Sequence, residues 1–323
     1  MRTFFSSWWA LVALFAFAGP AVAEDEPPVL VLTALPAPYS IASALAQGTR
    51  IRVANVPADG RPMNALARYL EKPSAEVLAQ LGKADAVISI GKLWHEDPLF
   101  AFARAQNIRV VNIDATEPYS ATMSGISLVR QPSGRAPWEK GASAQGGGNS
   151  DVLPYFWLGP SNGARSAEII AADFARLSPK DADRISQNLV AYRGKLLELK
   201  HSYEAKFAAL DDVSLFALVA GFENLTTDLG IFVDGYFIRQ DIEWTPADLA
   251  AFQKHLTARG IRVVIHKWEP SEPIQQAIKA AGAKLVVLRS GETFAAGNAS
   301  PREESYTADL EANLKALYSA FGP

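Results

Sequence analysis

Short runs of β-branched residues alternate with amphipathic segments along most of the chain, and this alternation constrains the fold more than any other feature. In the first half, four runs have the length and composition of buried strands: 29–33, 52–56, 86–90 and 109–113. Four segments between them have helical periodicity: 40–46, 63–69, 74–82 and 98–106. Strands that alternate with helices favour a parallel sheet with crossover helices.

The same alternation restarts in the second half of the chain. Strands are predicted at 213–220, 262–266 and 284–288, and helices at 246–259, 273–281 and 306–321. Between the halves, apolar residues recur every three or four positions from Ile185 to Leu210. A helix of roughly 30 residues would span roughly 45 Å, more than the width of one lobe. We therefore predict an α/β fold in which two lobes, each with a mostly parallel sheet flanked by helices, are joined by one long spine helix.

The N-terminus has the features of an export signal. Met1-Arg2 precedes an apolar run at 8–18, and Ala21-Val22-Ala23 stands directly before an acidic stretch. The apolar run is shorter than the ~20 residues of a spanning helix. We predict a signal peptide at 1–23, cut after Ala23, and a periplasmic protein. Its N-terminal lobe would cover 24–160, its connecting helices 161–211 and its C-terminal lobe 212–323.

Composition excludes several classes of function. The formal net charge is −3 and no block of Lys and Arg stands out, so a nucleic-acid partner or direct electrostatic binding to a membrane is not expected. The chain has no cysteine, which excludes disulfides and an acylated N-terminal cysteine. Its sequence contains no HExxH motif, no phosphate-binding glycine motif and no Ser/His/Asp order. We predict no enzymatic activity and no cofactor.

A loop rich in Gly, Ser and Pro interrupts the pattern at 131–151, QPSGRAPWEKGASAQGGGNSD. Its length favours either a flexible insertion, which we predict, or a functional segment. Trp138 between Arg135 and Lys140 leaves a role as a lid open.

Three segments of the chain resemble a known family. PADGRPMNALARYLEKPSAEVLAQLGKADAVISIG is similar to the first ligand loop of the periplasmic zinc and manganese receptors (the ZnuA/TroA-like type), with its helix and strand. PYFWLGP and the helical segment after it resemble that family's PHxWLsP segment and spine helix. TPADLAAFQKHLTARGIRVVIHKWEP, with the helix and strand that follow, is similar to its second lobe. The resemblance implies a solute-binding protein that delivers cargo to the permease of an ABC importer.

The positions at which the family binds its ion carry other residues here. The resemblance places Met63 at the first histidine, Tyr155 at the second, Gly221-Phe222-Glu223 near the third and Arg289 at the acidic ligand. Zinc prefers imidazole, thiolate or carboxylate, and a guanidinium opposes a divalent cation. Aromatic faces and an arginine suit a flat, oxygen-rich ligand. We therefore predict a chelated metal as cargo, such as a ferric-siderophore complex.

Six residues are the candidate ligand-binding set: Met63, Trp94, Tyr155, Glu223, Trp268 and Arg289. Each also has a structural interpretation, with Met63 as core and Arg289 facing water; Trp157 is expected in the core. One alternative is a receptor for a free transition-metal ion, held by His95, Glu223, His266 and Glu269. Another is an accessory protein that binds a second periplasmic binding protein or a reductase.

Overall fold

The computed structural model describes residues 27–139, 152–294 and 305–322 and confirms the predicted fold class. The sheet of the N-terminal lobe is formed by β1 (Val29–Thr33), β2 (Ile51–Asn55), β3 (Ala86–Ser89) and β4 (Val111–Asp114). That of the C-terminal lobe is formed by β5 (Ser214–Ala217), β6 (Phe232–Tyr236), β7 (Val263–His266) and β8 (Lys284–Val287). Both sheets are parallel, with the orders β2-β1-β3-β4 and β6-β5-β7-β8. The predicted signal peptide lies outside the described residues.

Helices flank both sheets. The N-terminal lobe has α1 (Pro36–Leu45), α2 (Met63–Glu71), α3 (Ala75–Lys83) and α4 (Leu99–Gln106). The connecting helices are α5 (Pro160–Leu177) and α6 (Ala182–Ala208), and the C-terminal lobe has α7 (Glu223–Asp228), α8 (Pro246–Arg259), α9 (Glu272–Ala280) and α10 (Ser305–Phe321). Among the described helices, none combines the length and the apolar character that crossing a membrane requires.

The spine helix α6 joins the lobes through a shared core. It has 27 residues and therefore a length of about 40 Å. Its buried side chains follow a helical repeat and form one stripe: Ile185, Tyr192, Leu196, Tyr203 and Phe207. The same hydrophobic cluster contains Leu32 of the first sheet and Leu215 of the second. Because apolar contacts run continuously from lobe to lobe, the spine is packed along its length and does not cross open solvent.

Strand β6 was not predicted from the sequence. It lies at the edge of the second sheet beside β5, and it contains Asp234 and Gly235, which are both uncommon in strands. Gly235 is required by close packing, because a Cβ there would lie 2.6 Å from Cγ of Pro137 and 2.8 Å from Cε2 of Phe216. Close packing against Pro137 and Phe216 therefore requires glycine at this position, although glycine has a low strand propensity.

The first part of the 131–151 loop differs from the predicted flexible insertion. Residues 131–139, called the strap below, leave the N-terminal lobe and pack on the C-terminal one. Trp138 lies among Phe216, Phe237 and Phe252, with ring centroids 5.3–6.1 Å away. The N–H of Ile238 donates to the carbonyl of Gly134 over 2.9 Å. Packing of this partly buried tryptophan against an aromatic core explains why the strap is held. Residues 140–151 lie outside the described part of the chain.

Candidate functional site

The loops that follow the strands of the second sheet meet at its carboxyl edge, where open α/β sheets bind ligands. Each strand supplies one polar side chain there: Glu223 after β5, Tyr236 at the end of β6, Lys267 after β7 and Glu292 after β8. Tyr155 reaches the same edge from the 3-10 turn at Phe156–Leu158. Its ring lies beside Gly221, on which a Cβ would stand 3.5 Å from Cδ2 and Cε2 of the ring. These five side chains (Tyr155, Glu223, Tyr236, Lys267 and Glu292) are called the cleft cluster.

Glu223 is a buried acid at this edge of the sheet. It is 7% exposed, and the N–H of Gly221 and the hydroxyl of Tyr236 lie close enough to act on its carboxylate. Its Oε2 atom is buried and has no hydrogen-bond partner. Burial raises the pKa of Glu223 to about 7, and the neighbouring N–H groups and the Tyr236 hydroxyl oppose this shift. An unpaired buried acceptor costs stability, so its presence at a sheet edge indicates a binding role.

Tyr155 and Glu292 form a second pair of a phenol and an acid. The carboxylate of Glu292 lies close enough to the phenol of Tyr155 to act on its ionisation. Oε2 of Glu292 also accepts a hydrogen bond from Oγ of Ser290 over 3.1 Å and lies 3.8 Å from Nζ of Lys267. Burial, followed by the charge of Glu292, raises the pKa of Tyr155, and burial with the charge of Glu223 raises that of Tyr236. Both phenols are therefore protonated at neutral pH unless a cation approaches.

Trp157 fixes the position of Tyr155. It is 1% exposed, so its predicted place in the core is confirmed. Its Nε1 donates to the carbonyl of Ser290 over 2.8 Å, and its ring meets that of Tyr155 edge to face at 5.7 Å. The turn that carries Tyr155 and the loop that carries Glu292 are thus joined across the cleft by an indole.

The N-terminal lobe closes the cleft with apolar contacts. Phe294, which follows β8, meets Tyr39 edge to face at 5.9 Å. It also covers Gly60, on which a Cβ would lie 3.1 Å from Cδ2 of Phe294. Met63 begins α2 beyond this contact, is 6% exposed and belongs to the core shared by the lobes. The two lobes are therefore in contact next to the cleft cluster.

Two predicted ligand residues, Trp94 and Arg289, lie apart from the cleft cluster, and a third, Trp268, borders it beside Lys267. Trp94 is half-buried and packs against the core of the N-terminal lobe. Trp268 is 44% exposed and lies over His266 with ring centroids 4.1 Å apart. Arg289 is exposed, and its guanidinium forms an ion pair with Asp309 of α10. Of the six predicted ligand residues, the structure brings Tyr155 and Glu223 into the cleft cluster.

The alternative metal ligands do not come together as a group. His95 and Glu269 are exposed, whereas His266 is buried. Nδ1 of His266 accepts the N–H of Lys267 over 2.8 Å, and burial lowers its pKa to about 4, so the ring is neutral with its proton on Nε2. Within residues 27–139, 152–294 and 305–322, no group of three or more His, Cys, Asp or Glu side chains is arranged to hold a metal ion.

Three members of the cleft cluster were not predicted from the sequence. Tyr236 ends a strand that the sequence pattern did not reveal, and Lys267 stands beside the more conspicuous Trp268. Glu292 comes three residues after Arg289, beyond Gly291, whose φ of +71° turns the chain. The available signal was the position of each residue directly after a strand, where the loops of parallel strands converge.

The donor set of the cleft cluster is made of oxygen atoms together with one ammonium group. Carboxylate and phenol oxygens suit hard cations and donors on organic ligands, whereas zinc sites are usually built from imidazole and thiolate. No imidazole belongs to the cleft cluster. The arrangement can therefore bind an oxygen-preferring metal or accept hydrogen bonds from a polar ligand.

A protein-family model described as "ZnuA: Zinc-uptake complex component A periplasmic" matches residues 31–320 of the chain. A search of curated protein sequences finds no match.

Solved structures share the fold at low sequence identity. A mutant of FpvC from Pseudomonas aeruginosa is 19% identical, with a TM-score of 0.71 over 91% of this chain and 99% of that one. The Zn(II)-bound ZnuA-like domain of AdcA from Streptococcus pneumoniae is 20% identical, with a TM-score of 0.66 over 91% and 98%. The laminin-binding protein Lmb of Streptococcus agalactiae, described as a bifunctional protein with adhesin and metal-transporting activity, is 19% identical, with a TM-score of 0.64 over 91% and 100%.

Proposed function

The chain belongs to the ZnuA family of periplasmic zinc-uptake components, and we propose that its own cargo is a metal held in an oxygen-rich organic chelate, such as a ferric-siderophore complex. The observation that carries this proposal is the cleft cluster. The family resemblance predicts histidine side chains at this place. Tyr155 and Glu223 lie there instead, at the carboxyl edge of the second sheet. A site of phenols and carboxylates matches iron and its oxygen-donor chelates better than it matches zinc.

Neighbouring aromatic surface supports an organic ligand. Trp268 is 44% exposed, and Nζ of Lys267 lies 5.3 Å from the centre of its ring. An exposed indole next to an ammonium offers a flat apolar face and a donor for carbonyl or carboxylate oxygens. A bare ion uses neither feature.

The fold supports capture with small lobe movements. The spine helix is packed into a core shared by both lobes, and Trp138 of the strap packs against the aromatic core of the C-terminal lobe. Wide separation of the lobes would expose these contacts, so the proposed mechanism is limited opening, capture at the cleft cluster and delivery to the permease of an ABC importer. The predicted signal peptide is consistent with such a role in the periplasm.

A free metal ion is the second candidate, because similar folds have been solved with bare ions. FpvC has been solved in complex with Mn²⁺ and with Ni²⁺, and the ZnuA-like domain of AdcA with Zn(II). In this chain such an ion would use Glu223 together with His95, His266 or Glu269, after rearrangement of the exposed side chains.

Equilibrium dialysis of the metal-free protein separates the two candidates. The protein is dialysed against Zn²⁺, Mn²⁺ and Fe²⁺, and in parallel against ferrioxamine B and ferric pyoverdine as ferric chelates. We expect binding of a ferric chelate and no sub-micromolar binding of a free divalent ion. A free divalent ion that binds with a sub-micromolar dissociation constant, while neither chelate binds, would refute the proposal.

A further inference from the structure

The chain that follows β8 is held at Arg289 by the C-terminal helix α10. The side chain of Asn313 bonds both backbone groups of Arg289: its Oδ1 accepts the N–H over 2.8 Å, and its Nδ2 donates to the carbonyl over 2.9 Å. One turn earlier on α10, Asp309 forms an ion pair with the guanidinium of the same arginine. The backbone and the side chain of Arg289 are therefore both fixed by α10.

Asn313 is a buried amide on an otherwise apolar face of α10. It is 3% exposed, and its buried neighbours on the helix are Leu310, Leu314 and Leu317. A polar side chain in such surroundings costs stability unless it is hydrogen-bonded. Strand β8 has already ended at Val287, so the N–H and the C=O of Arg289 need partners outside the strand. The asparagine supplies both partners, which explains an amide at this position.

The anchor fixes the start of a short loop that carries one member of the cleft cluster. Residues 289–294 are called the β8 loop below. The carbonyl of Ser290 accepts the indole N–H of Trp157 over 2.8 Å, and the hydroxyl of Ser290 donates to Oε2 of Glu292 over 3.1 Å. Because two successive residues are held, the backbone has little freedom left when it reaches Glu292.

The end of the β8 loop and the start of α10 contact the same helix of the N-terminal lobe. Phe294 meets Tyr39 of α1 edge to face, with ring centroids 5.9 Å apart. Tyr306, in the first turn of α10, donates its N–H to Oγ of Ser40, the next residue of α1, over 3.3 Å. Because Asn313 joins the β8 loop to α10, both contacts on α1 belong to one connected unit.

We propose that Asn313 is a positioning residue for cargo binding: it holds the β8 loop on α10, so that Glu292 and Phe294 are in place before cargo arrives. This inference rests on the proposed function. Asn313 is buried in α10 and acts through the backbone of Arg289, without touching cargo itself. A loop that is already ordered loses less conformational entropy when a ligand binds, so the anchor raises the affinity for cargo.

Nuclear magnetic resonance of the mature protein tests the anchor without any cargo. The indole N–H signal of Trp157, assigned with Trp157→Phe, reports on the bond to the Ser290 carbonyl. In Asn313→Ala we expect this signal to shift and its exchange with solvent to become at least about tenfold faster. Asn188→Ala is the matched control, because this asparagine of the spine helix also donates to two backbone carbonyls, at 2.9 and 2.8 Å. It should leave the Trp157 signal unchanged.

Equilibrium dialysis against ferrioxamine B and ferric pyoverdine measures the consequence for binding. Asn313→Ala should raise the dissociation constant of the chelate that the parent binds by about tenfold. Asn313→Asp keeps an acceptor for the Arg289 N–H and loses the donor to its carbonyl, so its dissociation constant should lie between those of Asn313→Ala and the parent. Asn188→Ala should bind as the parent does, even where its melting temperature is lowered.

The outcomes separate this inference from the proposed function. A Trp157 indole signal that is unchanged in both Asn313 variants would refute the anchor. A changed signal together with parental affinity would refute the role in binding. A parent that binds neither chelate would refute the proposed function and the role in binding with it, while the indole signal still decides whether Asn313 anchors the loop. If Asn313→Ala does not fold, Asn313→Asp gives both measurements.

Discussion

Replacing Glu223 with Gln should stabilise the protein at neutral and alkaline pH. In the folded chain the pKa of Glu223 is raised from 4.5 to about 7 by burial. The folded state therefore holds the proton more tightly than the unfolded state does. The stability that this proton contributes is fully present below pH 4.5 and is lost as pH rises through 7.

The magnitude follows from the shift of about 2.5 pH units between 4.5 and 7. At about 1.36 kcal/mol per unit, charging Glu223 in the folded state costs about 3 kcal/mol of unfolding free energy above pH 7. Gln has nearly the same shape and does not ionise, so Glu223→Gln avoids that cost. The same relation gives a gain of about 2 kcal/mol at pH 6 and almost none at pH 4.

Urea unfolding of the parent and of Glu223→Gln at pH 4, 6 and 8 measures these differences. Glu269→Gln, at an exposed acid of the same lobe, is the control and should differ little from the parent at any of the three pH values. Two results would refute the argument that a charged, buried Glu223 lowers the stability of the protein. One is a stability difference that is the same at all three pH values. The other is a Glu223→Gln protein that is less stable than the parent at pH 8.

Three further expectations concern the cleft and the strap. Tyr155→Ala and Trp268→Ala should each weaken binding of a ferric chelate at least about tenfold by dialysis, with the melting temperature largely unchanged; parental affinity in both variants would contradict an aromatic contribution. Trp138→Ala should lower the unfolding free energy by roughly 2–3 kcal/mol in urea, because it removes a partly buried indole from the aromatic core; a loss below about 0.5 kcal/mol would show that the strap is not anchored there. The pKa of His266 is lowered by burial to about 4 from 6.5, so stability should fall by up to roughly 3 kcal/mol as pH decreases from 6.5 to 4. His266→Gln should remove this part of the acid sensitivity in urea unfolding, and an unchanged pH dependence would exclude it.

The alternation of strands and helices was enough to predict the two-lobe fold, because each crossover helix needs a parallel sheet to pack on. The spine was predicted from the repeat between Ile185 and Leu210 and is present as α6. Strand β6 escaped prediction because Asp234 and Gly235 weaken its pattern. Its pairing with β5 and the contact of Gly235 with Pro137 depend on a segment far away in sequence.

The site could be predicted only in part. The family resemblance pointed to Tyr155 and Glu223, and both lie in the cleft cluster. Their partners Glu292 and Tyr236 come from the ends of different strands, and nothing in a linear pattern specifies which loop residues face each other. Arg289 was expected beyond β8, but its guanidinium pairs with Asp309, and the chain turns at Gly291 before it reaches Glu292.

Native mass spectrometry of the protein purified from its source cells tests the central claim most directly, because it weighs any bound cargo. We expect an added mass that corresponds to iron together with an organic chelator, and loss of that mass in Tyr155→Ala. Protein that carries a single zinc ion and no organic mass would contradict the account.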